Sequence, residues 1–150
     1  MSKYERLCRA YAKARQEVLE ASRACQEFAR VFSDRFGEYI GCAIEYEEDA
    51  PDERGGLSFY IILRVYPHPE TKDESESEIV RISLSVERVI DNYVVTLFPW
   101  GQDFKLFWNE FDKFDRVYDY IFDRVLETYT CGFEALSPEK EQIRNLGWGF

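Results

Sequence analysis

The chain has 150 residues, 45% hydrophobic and 17% aromatic, which is enough for one folded domain with a sizeable core and argues against disorder. Its formal net charge of −10 argues against a surface built to bind nucleic acid directly, because that needs a basic footprint. No run reaches the length of a membrane span or of a signal-peptide core.

Residues 3–36 contain no proline and no glycine. Apolar or small residues fall at Leu7, Tyr11, Ala14, Val18, Ala21, Cys25, Phe28 and Phe32, with steps of 4, 3, 4, 3, 4, 3 and 4. That is a sustained heptad stripe, and Gly37 reads as the helix stop. A helix of this length spans about 50 Å at 1.5 Å per residue, more than a small domain needs. Either it breaks, or one end packs outside its own core. A second copy of the chain is the simplest candidate, with Phe28 and Phe32 as the pairing residues. Packing against the chain's own sheet or second helix is the alternative.

The period then changes to two. Residues 39–47 alternate through Ile40, Cys42, Ile44 and Tyr46, and residues 57–66 through Leu57, Phe59, Ile61, Leu63 and Val65. Residues 79–90 alternate through Val80, Ile82, Leu84 and Val86, and residues 93–100 form a shorter fourth run. Four antiparallel strands with one buried face are expected. Pro51 with Gly55-Gly56 marks one connection and Asp91-Asn92 a tight one. The connection over residues 67–78, PHPETKDESESE, is long, polar and acidic. If Leu57, Phe59, Ile61, Leu63 and Val65 point inward, Tyr60, Arg64 and Tyr66 lie beside Arg81 on the other face, a mixed aromatic and polar surface; pattern alone does not settle which face the helices cover. Tyrosine and arginine are enriched at binding hot spots.

In the stretch FWNEFDKFDRVYDYIFDRVLETY, residues 107–129, the apolar residues Phe107, Phe111, Phe114, Tyr118, Ile121, Val125 and Tyr129 recur at helical spacing. Asp112, Asp115, Asp119 and Asp123 form a second, adjacent stripe. A short last helix follows, capped by Ser137 with Pro138 at its first position. The fold class is therefore α+β in a single domain over 1–150. It comprises a long N-terminal helix, a four-stranded antiparallel sheet, a long amphipathic helix and a short C-terminal helix packed on one face.

The chemistry is sparse. Four carboxylates on one helix face present metal ligands in a line and not as a shell, so they are a solvated acidic face or a docking surface, and no metal or cofactor is expected. The loop Glu47, Glu48 and Asp49 extends the negative charge. Residues 1–36 hold eight basic and five acidic side chains, net +3, whereas residues 37–150 hold eleven and twenty-four, net −13. The single histidine, His68, sits between two prolines and reads as a turn residue. No GxSxG elbow, phosphate-cradling glycine loop or HExxH is present. The cysteines, Cys8, Cys25, Cys42 and Cys131, form no CxxC and no metal-ligand spacing, and read as small hydrophobes of a cytoplasmic protein.

The expected function is a non-catalytic protein-binding module, an acidic inhibitor or an immunity- or blocker-type protein that engages a basic protein, for example one that handles nucleic acid. Its partner-binding residues are Asp112, Asp115, Asp119, Asp123, Glu47, Glu48, Asp49, Tyr60, Arg64, Tyr66 and Arg81. Two readings stand beside it. One is an enzyme or small-ligand binder with a pocket between helices and sheet. The other is a structural homo-oligomer paired through Phe28 and Phe32.

Overall fold

The computed structural model describes residues 2–130. Helix α1, Lys3–Ile40, comes first and is followed by strands β1 (Glu45–Glu48), β2 (Leu57–Val65), β3 (Glu78–Val89), β4 (Asn92–Phe98) and β5 (Gln102–Phe107). Helix α2, Phe114–Thr130, closes the described chain. The expected short C-terminal helix, with Ser137 and Pro138, lies outside the described residues.

The α+β class and the antiparallel sheet are as expected, but the sheet has five strands in the order β1-β2-β3-β4-β5, a simple meander. The fifth strand comes from QDFKLF, whose two inward residues, Phe104 and Leu106, make too short an alternation to stand out. Phe107 thus ends a strand, and Phe111 and Asp112 lie in a 3-10 turn before α2. The first strand also starts later than its pattern suggests, because α1 does not stop at Gly37. Gly37 is buried inside the helix, where a Cβ would come within 3.1 Å of the Ile44 side chain. The helix ends instead at Gly41, whose φ of 80° is the left-handed cap conformation and whose N–H bonds back to the Gly37 carbonyl.

Among the described residues, one face of the sheet is buried. Leu57, Phe59, Ile61 and Leu63 of β2 line up through the strand register with Val80, Ile82, Leu84 and Val86 of β3. Tyr93, Val95 and Leu97 of β4 and Leu106 of β5 continue the layer. On it lie the C-terminal half of α1, through Cys25, Phe28, Ala29, Phe32 and Phe36, and α2, through Phe114, Val117, Tyr118 and Ile121. Aromatic rings form the contact between layers. Phe28 stacks on Tyr93 at 4.4 Å, and Phe32 packs against Phe59, Phe114 and Tyr118. Tyr118 donates to the Phe32 carbonyl at 2.7 Å, so the buried hydroxyl is satisfied and the two helices are tied together.

The β1–β2 connection clamps α1. Gly55 has φ of +84°, and a Cβ built there would lie 2.8 Å from the Val18 carbonyl oxygen and 2.9 Å from the Ser22 nitrogen. The loop backbone therefore rests directly on the helix at that point. Toward the N-terminus from there, every residue from Ser2 to Glu17 is exposed. Among the described residues no helix is long and apolar enough to cross a membrane.

Candidate functional site

The fold distributes the predicted partner-binding residues over separate surfaces. Tyr60, Arg81 and Glu47 meet on the uncovered face of the sheet. The register sets Glu47 beside Tyr60 and Ile62 beside Arg81, so the three side chains adjoin across β1, β2 and β3. The Arg81 guanidinium lies 4.3 Å from the Tyr60 ring centroid and reaches Glu47 Oε2 at 3.0 Å. Tyr60 donates its hydroxyl to Asp49 at 2.7 Å, and that carboxylate, with some burial, raises the phenol's pKa. Arg64 lies further along β2 and donates to the Ser77 hydroxyl at 2.7 Å. The cluster is thus a set of internal pairs, in which each charge already has a partner.

Glu48 points the other way. Its carboxylate accepts from Tyr46 at 2.5 Å and from Gln26 of α1 at 3.3 Å, with Arg30 at 3.9 Å. It fastens the edge strand to the helix and is not part of the open face. Tyr66 follows β2 and borders an open depression of about 550 Å³ with Ile40, Cys42 and Lys72. His68 stands in the next loop, where its carbonyl accepts from the backbone of Thr71 and Lys72, a turn role. Among the described residues no group of three or more His, Cys, Asp or Glu side chains converges as a metal site would.

The aspartates gather on α2. At 100° per residue, Phe122, Asp115, Leu126, Asp119 and Asp123 fall in that order within an arc of about 100°, and Asp112 of the preceding turn joins its edge. All are exposed, with Phe122 at 39% and Leu126 at 45%. Tyr39 of α1 borders the same arc and donates its hydroxyl to Asp119. That carboxylate is the main reason the Tyr39 phenol is pushed up to about 12. Arg116, also exposed, borders the acidic arc next to Asp123, and the other cations hold the opposite flank of α2. Lys113 pairs with Glu110 at 2.7 Å, and Arg124 pairs with Glu127 at 3.3 Å and stacks on Tyr120. One flank is therefore acidic with apolar side chains interleaved, and the other is charge-balanced.

Phe122, Leu126 and Tyr39 were not among the residues expected from sequence. Each falls beside the core stripe and not on it, so the signal was a surplus of apolar residues beyond what that stripe needs. Phe28 and Phe32, the expected pairing residues, are fully buried in this chain's own core. Any pairing between copies through α1 has to use its exposed half. No protein-family model, no curated protein and no solved structure matches the chain.

Proposed function

We propose that this protein is a non-catalytic binding protein that engages a basic protein partner through the acidic flank of α2. The observation that carries the reading is the composition of that flank. Aspartates at four-residue spacing repel one another, which costs a helix a few tenths of a kcal/mol per pair. A purely solubilising face has no need to interleave them with exposed Phe122 and Leu126. An interface does, because apolar anchors supply affinity while surrounding carboxylates steer a cationic partner and set its orientation. The partner class is a protein with a basic, amphipathic surface, such as the cleft of a nucleic-acid-handling protein. In this reading the protein acts as an inhibitor or blocker in the cytoplasm, where its thiols stay reduced.

The test is affinity capture at low salt from the host lysate, with mass spectrometry of what is retained. It is run in parallel on the wild type, on Asp112→Asn/Asp115→Asn/Asp119→Asn/Asp123→Asn, and on Phe122→Ala/Leu126→Ala. A basic protein held by the wild type and lost from both variants is the expected result. Retention that is identical in all three chains, or nothing above background, sinks the proposal.

A further inference from the structure

Among the described residues, nothing packs on the apolar seam of the exposed half of α1. Tyr4, Leu7 and Tyr11 are 75, 70 and 67% exposed, and with Ala14 they recur at steps of 3, 4 and 3. The seam runs in phase into Cys25, Phe28 and Phe32, the same stripe that fills the core further along. Residues 3–17 extend about 22 Å beyond the clamp at Gly55. A helical segment of that length is marginal in water without tertiary packing, so its apolar stripe calls for a partner.

We infer that two copies of this chain pair through residues 2–17 of α1 as an antiparallel two-helix seam. The arm is complementary to itself in that orientation. If residue n faces residue 18 − n, Tyr4 lies over Ala14 of the partner subunit and Leu7 over Tyr11 of the partner subunit. Each large side chain next to the clamp-distal end then meets a small one, as close packing requires. The flanks are offset from the seam by two residues: on one side residue n comes beside residue 20 − n, so Lys3 meets Glu17 of the partner subunit and by symmetry the same ion pair forms again, while on the other side residue n comes beside residue 16 − n. Arg6, Arg9 and Lys13 point away from the seam. A parallel pair would instead set Tyr4 on Tyr4 and Tyr11 on Tyr11, leave a gap between the two copies of Ala14, and match no opposite charges across the seam.

Whole-chain charge favours the same orientation. Residues 2–17 carry five basic and two acidic side chains, net +3, while residues 37–150 carry net −13. Antiparallel arms hold the two acidic bodies at opposite ends, and parallel arms bring them side by side. The overlap also ends at Glu17, where the body begins at half-buried Val18, so neither body obstructs the other arm. This seam is separate from the α2 flank and does not depend on its role.

The register places Cys8, which is exposed and free, opposite Cys8 of the partner subunit near the two-fold axis. Sedimentation velocity on the full chain under reducing conditions, over a dilution series, is expected to show a dimer that dissociates on dilution. Mild oxidation in a Cys42→Ser background is expected to trap a disulfide-linked dimer that Cys8→Ser abolishes. Leu7→Asp/Tyr11→Asp is expected to give a monomer that melts as the dissociated, dilute wild type does, since both side chains are exposed in the single chain. Lys3→Glu should weaken the dimer several-fold, and adding Glu17→Lys should restore it. A monomer at every concentration, or a dimer that survives Leu7→Asp/Tyr11→Asp, overturns the inference. A dimer with no Cys8 cross-link overturns the antiparallel register.

Discussion

Cys25 shows how a residue that is ambiguous in sequence becomes specific in the fold. It sits in the seam of α1, fully buried, and burial pushes its thiol up to about 11. Below the ordinary thiol value of 9.0 both folded and unfolded chains keep the proton. Above it the unfolded chain releases a proton that the folded chain holds, so stability falls as pH rises from about 9 to about 11. Burial of Tyr93 and Tyr118 raises their phenols and acts in the same direction. Urea unfolding from pH 7 to pH 11 should therefore show a loss with a Cys25 share on the order of 2 kcal/mol. The slope above pH 9 should be shallower in Cys25→Ala, and equal slopes would remove the assignment. The buried set was legible one residue at a time, because period and side-chain type suffice for it. Phe122 and Leu126 were not, since exposure on a helix flank depends on where the neighbouring helix stops covering it.

The elements followed from pattern where the pattern was long. The alternations in β2 and β3 and the heptad stripe of α1 run for many residues, and each formed as its period dictates. Boundaries were lost where one glycine could serve two purposes. Gly37 reads as a stop but is a packing position against Ile44, and Gly41 is the residue in the left-handed cap. Strand β5 was missed because only Phe104 and Leu106 alternate inward, and its last residue, Phe107, also fits the helical period that follows. Gly55 is the position where conformation and contact demand the same residue. Gly55→Ala would force a Cβ onto the α1 backbone at a φ that side chains rarely adopt, at a cost of about 1–3 kcal/mol. The expected outcome is a lower melting temperature together with faster proteolytic cleavage in the β1–β2 loop. An unchanged melting temperature would show that the loop does not bear on the helix.

At the level of the molecule, the sheet separates what the sequence left mixed. The Glu47–Tyr60–Arg81 cluster lies on the open face of the sheet, and the aspartates of α2 lie on the helical layer behind it. Sequence could not decide this, because either parity of the strands was compatible with covering by two helices. Negative charge on the α2 flank acts at a distance as well as in contact. Association with a basic partner should slow steeply with added salt, as electrostatically steered encounters do. Stopped-flow rates at rising ionic strength check this, and a flat on-rate would leave the interface to its apolar anchors alone.

Because α1 runs without a break from the core into the solvent, its buried and exposed halves share one helical phase. The body cannot turn about its arm as it could about a loop. Whatever grips the seam at Leu7 and Tyr11 also fixes the azimuth of the sheet and of the α2 flank. One residue added between Glu17 and Cys25 would swing that flank by about 100° and move it by about 1.5 Å. The continuous helix therefore works as a keyed shaft, so that docking at one end sets the direction in which the acidic flank faces at the other.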